Sequence, residues 1–89
     1  MKIHKLKCWP IWYDQIERGE KTFEARFDDR GYEVGDILEL RRWDPDLEDY
    51  TGVSMCHKVT SILHASGTGN AVRPGYCIMS IQPLEVSLE

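Results

Sequence analysis

Residues 9–27 read WPIWYDQIERGEKTFEARF and contain the signals for one helix followed by one strand. Pro10 suits the first position of a helix, because the N–H that proline lacks has no intrahelical partner there. Gly19 is the type of residue at which a helix commonly ends. The large apolar side chains between these ends recur at helical spacing and predict one core-facing stripe, made of Trp9, Trp12, Tyr13 and Ile16.

The segment TFEARF, residues 22–27, alternates as a β-strand does. One face carries its polar residues, Thr22, Glu24 and Arg26. The other face carries its apolar residues, Phe23, Ala25 and Phe27. Further strands are predicted at 3–8, 37–43, 53–63 (one long strand or a bent pair) and 75–82. Turn signals and loops separate them at 28–31, 34–36, 44–52 and 64–74.

One helix and about five strands, without β-α-β-α alternation, predict an α+β fold rather than a parallel doubly wound sheet. We expect a small mixed β-barrel of five or six strands, with the N-terminal amphipathic helix plugging one end. A chain of 89 residues, 42% hydrophobic and 29% charged, suits a single domain at residues 1–87. Residues 88–89, Leu-Glu, are interpreted as a vector-derived scar.

The sequence favours a cytoplasmic protein. It has no apolar run of the roughly 18 residues that a membrane span requires. Its N-terminus places charges where a signal peptide needs an apolar stretch. The three cysteines cannot form a fully paired disulfide framework, and none are spaced C-x-x-C. Small size without a disulfide or metal leaves a homodimer open.

The charges are unevenly distributed along the chain. Residues 1–42 contain nine basic and nine acidic residues, whereas residues 43–89 contain two basic and six acidic ones, and the net charge is −4. A protein that binds nucleic acid through bulk charge usually has a basic excess. We therefore expect any anionic ligand to be bound by a local cluster in the first half of the chain.

The strongest candidate cluster is Lys21, Glu24 and Arg26. The last two lie two positions apart on one strand, so both project from the same face, close enough for an ion pair. If that face lines a barrel mouth, the guanidinium fork suits a phosphate or a planar carbonyl edge. The alternative is a buried Glu–Arg pair that only stabilises the fold, or a solvated strand face.

Other residues are candidates for the same cleft. Lys7 could extend a basic patch toward Lys21, and Trp43 and Tyr50 suit the cleft rim. The aromatic residues of the predicted helix could instead stack on bases, as in single-strand binders, but their helical spacing favours the core.

The chain resembles the ASCH domain family, which has a PUA-like β-barrel fold. The resemblance depends on Gly19-x-Lys21-x-x-Glu24-x-Arg26 followed by Val34-Gly35-Asp36. It extends to a compact bacterial and phage ASCH-like group of unknown function, through five further stretches: His4-x-Leu6-Lys7, Lys21-Thr22-Phe23-Glu24-x-Arg26, Asp29-Arg30, Tyr50-Thr51-Gly52 and Gly75-Tyr76. It spans about residues 3–82.

The resemblance implies a binding module that recognises RNA or a nucleotide-like small molecule in a cleft over Lys21, Glu24 and Arg26. The candidate ligand-binding residues are Lys7, Lys21, Thr22, Glu24, Arg26, Trp43 and Tyr50. No cofactor and no membrane partner are expected.

Catalysis is the alternative function. Some ASCH members are small amidohydrolases that act on an acylated cytidine, and others are reported to cut RNA. In that case Lys21 and Glu24 are the candidate catalytic residues. Glu24, however, stands where the amidohydrolases have a threonine, and the chain shows no helical insertion for their distal glutamate.

A metal site is not expected. Cys56 and His57 are the adjacent pair among the cysteines and histidines, and neighbours on a strand point to opposite faces.

Overall fold

The computed structural model describes residues 1–84 of the chain. The elements are β1 (Ile3–Cys8), α1 (Pro10–Glu17), β2 (Phe23–Phe27), β3 (Ile37–Asp44), β4 (Asp49–His64) and β5 (Tyr76–Pro83). The interpretation of residues 88–89 as a scar falls outside the described residues. Within them, no helix is long and apolar enough to cross a bilayer.

The five strands form one sheet in the order β1-β3-β4-β5-β2. β1 is parallel to β3 and the other neighbours are antiparallel, so the sheet is mixed. It curls into a half-barrel whose two edges are β1 and β2. The α+β fold is therefore confirmed. The predicted barrel is an open one, because no backbone ladder between β1 and β2 is found in the described part of the chain.

The core lies between the curled sheet and α1. Alternation along β1 turns His4, Leu6 and Cys8 inward. These residues meet apolar side chains from the helix and the other strands: Tyr13, Ile16, Leu38, Leu40, Val59, Cys77, Met79 and Ile81. Arg42 on β3 donates hydrogen bonds of 3.0 and 3.1 Å to the two carboxylate oxygens of Asp14 and so ties α1 to the sheet.

The predicted helical stripe is only half correct. Tyr13 and Ile16 are buried, whereas Trp9 and Trp12 are 50% and 46% exposed. Trp9 precedes the helix and has an extended backbone, with φ −66° and ψ 149°. Trp12 lies about 100° around the helix axis from Tyr13, so the side that packs on the sheet is too narrow for both.

The loop predicted at 44–52 is shorter in the structure. β4 begins at Asp49, and Tyr50-Thr51-Gly52 therefore belongs to a strand. β4 continues as one long strand to His64, with a register shift between Val59 and Ser61. The reason is a hairpin in which Asp44 pairs with Asp49 and Trp43 with Tyr50. Polar composition alone does not reveal such pairing.

The Val34-Gly35-Asp36 turn fixes the start of β3 to the start of β1. Asp36 is 1% exposed, and its carboxylate accepts hydrogen bonds from the Lys2 N–H, the Glu33 N–H and His4 Nε2 at 3.0, 3.0 and 2.8 Å. Burial opposes ionisation of this carboxyl, but the hydrogen bonds outweigh burial and lower the pKa of Asp36 to about 2. The turn motif therefore has a structural role in this chain.

Replacing Asp36 by asparagine tests this role. We expect Asp36→Asn to lower the free energy of unfolding at neutral pH by roughly 2 kcal/mol, from the difference between the unfolded and folded pKa values. Because the folded pKa lies below the unfolded one, the wild-type stabilisation is present above about pH 4 and is lost as the pH falls toward 2. Urea denaturation across this range measures both effects.

The exposed Asp29→Asn variant is the control. It should keep the wild-type pH dependence, whereas Asp36→Asn should lose much of the decline between about pH 4 and 2. An Asp36→Asn protein with wild-type stability and pH dependence would contradict the role of this turn.

Candidate functional site

The sequence-predicted cluster closes the seam between the two edges of the sheet. Glu24 Oε1 lies 3.0 Å from Lys21 Nζ, and Glu24 Oε2 lies 2.7 Å from Arg26 Nε. Arg26 Nη2 donates a 2.9 Å hydrogen bond to the carbonyl of Lys7 on β1. A side chain thus connects β2 to β1 where no ladder does. We call Glu24, Lys21 and Arg26 the Glu24 clamp.

Local structure positions each member of the Glu24 clamp. Gly19 takes a positive φ of 78° after α1, so the chain turns sharply toward β2. Lys21 Nζ also donates a 2.6 Å hydrogen bond to the Phe23 carbonyl, which holds the ammonium beside the carboxylate. The spacing of two residues puts Glu24 and Arg26 on one face, and the predicted ion pair between them is confirmed.

The face of β2 that points inward is the polar one. Glu24 is 4% exposed, whereas Phe23 and Phe27 are 45% and 54% exposed. This reverses the usual preference for burying the apolar face. A buried carboxylate requires charged partners, and Lys21 and Arg26 supply them. The arrangement is typical of a site that uses charge.

A cleft of about 740 Å³ opens above the Glu24 clamp. Lys7, Cys8 and Trp9 lie on one side, Trp12 comes from α1, and residues 21 and 23–26 complete the lining. Its aromatic lining is solvent-accessible, since Trp9, Trp12 and Phe23 are each about half exposed. Cations, one buried carboxylate and exposed aromatic rings therefore share one concave surface.

Two other candidate residues, Trp43 and Tyr50, lie beyond the rim. The ring centroid of Trp43 is 6.5 Å from that of Trp9, and Lys7 Nζ lies 4.1 Å from the Trp43 ring centroid. Tyr50 is one strand further away, opposite Trp43, and Arg41 Cζ lies 4.1 Å from its ring centroid. Neither Trp43 nor Tyr50 is part of the cleft lining.

Thr22 lies outside the cleft. It is exposed and precedes β2, and its carbonyl accepts a 3.0 Å hydrogen bond from the Ile81 N–H. Thr22 would share a face with Glu24 and Arg26 only if all three belonged to one regular strand. β2, however, begins at Phe23. The structure therefore does not support Thr22 as a ligand-binding residue.

Five residues that line the cleft are not among the ligand-binding residues predicted from the sequence. Helical spacing favours Trp9 and Trp12 in the core, and strand alternation places Phe23 and Ala25 on the face opposite Glu24. Cys8 is predicted only as the end of a strand. Burial, together with the negative charge of Glu24, raises the pKa of Cys8 to about 11, against the opposing effect of Arg26 and Lys21. Its thiol is consequently protonated at neutral pH and is a poor nucleophile. The available signal was the alternation of β1, which turns Cys8 toward the cleft.

His57 is buried on the interior face of β4, and its Nδ1 has no hydrogen-bond partner among the described residues. Burial lowers the pKa of His57, although the charge of Glu24 acts in the opposite direction. Cys56, its neighbour, is only partly buried. Within residues 1–84, no group of three or more potential ligand side chains is arranged to hold a metal ion.

The fold and the cleft define a class of small α+β half-barrel proteins with a charged cleft at the sheet seam. The chain belongs to the family described as a domain of unknown function (DUF3850), whose model matches residues 3–81. It is 34% identical over 65 residues to an uncharacterized 12.9 kDa protein in the GpA 3′ region of Escherichia phage P2. That alignment covers 73% of this chain and 58% of the phage protein, so the chain spans little more than half of that relative's length.

The fold also resembles a solved structure, the crystal structure of hypothetical protein PH0355. The superposition has a TM-score of 0.62 and covers 94% of this chain and 100% of the other, at 19% identity. This likeness concerns the fold alone. The match to a domain family of unknown function and the similarity of this chain to a phage protein agree with the expectation of a phage-related group of unknown function.

Removing the arginine of the Glu24 clamp tests its contribution to the fold. We expect Arg26→Gln to lower the free energy of unfolding by about 1–3 kcal/mol, because charge-assisted hydrogen bonds to Glu24 and Lys7 are lost. Arg18→Gln is the matched control, since Arg18 forms a 2.9 Å ion pair with Glu20 in which both side chains are more than half exposed. Exposed pairs of this kind contribute little. Equal unfolding midpoints for the two variants in urea would contradict a structural role of the Glu24 clamp.

Proposed function

We propose that this protein is a binding module of the ASCH and PUA-like type, which recognises RNA or a nucleotide in the cleft above the Glu24 clamp. The observation that carries the proposal is the placement of three cations, Lys7, Lys21 and Arg26, and half-exposed aromatic rings on one concave surface. The resemblance of the Gly19–Arg26 motif to ASCH domains points to the same ligand class. The volume of about 740 Å³ lies within the roughly 300–1,000 Å³ of small-molecule sites.

Arg26 and Lys21 have N–H donors that are not used in contacts among the described residues. Arg26 uses its Nε–H for Glu24 and one Nη2–H for Lys7, which leaves three of its five N–H groups without an acceptor among the described residues. Lys21 uses two of its three, for Phe23 and Glu24. A phosphate or a base carbonyl presents the acceptors that these donors lack.

The aromatic side chains suit a nucleobase. Trp9 and Trp12 contribute half-exposed rings to the cleft, and base stacking on such rings tolerates any sequence. In this arrangement the base stacks on the tryptophans while its phosphate faces Lys21 and Arg26. Glu24 is a positioning residue that orients both cations.

The geometry favours binding over hydrolysis. Both oxygens of Glu24 already accept hydrogen bonds from Lys21 and Arg26, so the carboxylate is engaged within the Glu24 clamp. Cys8, the thiol of the cleft, is held protonated by burial. These contacts support a ligand reader in preference to an amidohydrolase or a nuclease.

Isothermal titration with AMP, CMP, GMP, UMP and N4-acetylcytidine tests the proposal, with chromatography of the same samples for products. We expect at least one of these nucleotides or nucleosides to bind without turnover. Binding without products supports the module. Deacetylation of N4-acetylcytidine would instead establish the hydrolase, and binding of none of these probes or of a short RNA would contradict the proposed function.

A tryptophan variant tests the site itself without disturbing the buried charges. Trp12→Ala should weaken binding roughly 5- to 100-fold, the usual effect of removing one stacking ring. Ile11→Ala is the matched control, because Ile11 is an exposed helix neighbour that does not line the cleft. Affinities that stay equal in Trp12→Ala, Ile11→Ala and wild type would place the ligand elsewhere.

A further inference from the structure

A second basic site continues from the cleft onto the outer face of the sheet. Lys7 on β1 and Arg41 on β3 are direct neighbours in the parallel ladder. Their side chains face away from the core, because Leu6 and Leu40, the residues before them, are buried. We call these two residues the outer basic pair.

The outer basic pair is an unusual arrangement in a sheet. Like charges directly opposite each other on neighbouring strands are destabilising. Two residues earlier, on the same face, the ladder places Lys5 opposite Glu39, a complementary combination. Among the described residues, neither Lys7 nor Arg41 has a carboxylate within ion-pair distance. The two positive charges are thus left for a ligand to neutralise.

Each of these cations is held on an aromatic ring. Lys7 Nζ lies 4.1 Å from the centroid of Trp43, and Arg41 Cζ lies 4.1 Å from the centroid of Tyr50. Cation–π contacts fix the position of a charge without neutralising it, because the ring has no net charge. Trp43 and Tyr50 thereby position the outer basic pair. This role accounts for the location of the two aromatic residues beyond the cleft.

The cleft and the outer basic pair are continuous. Lys7 lines the cleft and also lies on Trp43, while Trp9 lines the cleft with its ring 6.5 Å from that of Trp43. Neighbouring strands lie about 4.8 Å apart, so Arg41 extends this line of positive charge by one strand. A mononucleotide that occupies the cleft has no second phosphate to reach that far.

We propose that the ligand is a single-stranded nucleic acid of two or more nucleotides, with one base in the cleft and the next phosphate on the outer basic pair. This inference rests on the proposed function, whose ligand it narrows from RNA or a nucleotide to a single strand of at least two nucleotides. A strand supplies phosphates at regular spacing, as the sequence of cations from Arg26 through Lys7 to Arg41 requires. The overall net charge of −4 disfavours contact beyond this line.

The test first identifies which of AMP, CMP, GMP and UMP binds most tightly. The affinity of that mononucleotide is then compared with the affinity of the trinucleotide of the same base, in ribo and deoxyribo forms. We expect the trinucleotide to bind about tenfold tighter or better. Arg41→Gln should remove roughly tenfold of trinucleotide affinity and leave the mononucleotide affinity unchanged. It should also reduce the dependence of log Kd on log salt by about 0.7, the contribution of one phosphate contact on a single strand.

Lys58→Gln is the matched control, because it also removes one exposed positive charge from the outer face of the sheet. Lys58 lies on β4, four residues from Ser54, and Ser54 is the residue that pairs with Arg41. It should bind the trinucleotide as wild type does. Lys7→Gln should weaken the trinucleotide more than the mononucleotide.

The outcomes separate the two proposals. A mononucleotide that binds in a Trp12-dependent manner, with no gain for the trinucleotide, overturns the strand inference and leaves the proposed function standing. Absence of binding by all these probes overturns both. Equal affinity for a triaspartate peptide and the trinucleotide would show an anion site without nucleic-acid preference and would overturn the inference. The ribo and deoxyribo arms show which sugar the strand carries.

Discussion

A carboxylate without charged partners is unstable inside a protein, and Glu24 is 4% exposed. Lys21 and Arg26 pair with it, and Arg26 also reaches the carbonyl of Lys7 on the opposite edge of the sheet. The same contacts thus stabilise the carboxylate, connect β2 to β1 and present two cations to the cleft. Structure and candidate function depend on one interaction, so substitutions in the Glu24 clamp need controls for folding.

The gap between the edge strands β1 and β2 determines the position of the cleft. A closed barrel would pair β1 with β2 and fill this space with a backbone ladder. In this chain the sheet stops short, and α1, which connects the two edges, places Trp12 above the gap. The cleft is therefore a consequence of the topology, and its chemistry comes from residues 21–26 together with Trp9 and Trp12.

Local patterns predicted much of this structure. Strand alternation gave β1 and β2, the proline and glycine signals gave the ends of α1, and spacing gave the Glu24–Arg26 ion pair. The missing parts depend on contacts distant in sequence. The inward direction of Glu24 follows from the pairing of β2 with β5, which places it opposite the buried Met79. The hydrogen bond of Asp36 to His4 joins residues 32 positions apart. Helical spacing wrongly predicts Trp9 and Trp12 in the core, because it shows an apolar stripe but not the width of the stripe that is buried.

Glu24 holds Arg26 from the same strand, and Arg26 in turn reaches across the seam to the Lys7 carbonyl while its remaining donors face the cleft. The most direct measurement is solvent exchange of the Arg26 Nε–H by ¹⁵N NMR, with Arg73, an exposed arginine outside the cleft, as reference. The account predicts exchange at Arg26 about tenfold slower or more, because this proton is bound to a buried carboxylate. It also predicts that Glu24→Gln removes most of that protection. Exchange at Arg26 as fast as at Arg73 would contradict the Glu24 clamp and the cleft that depends on it.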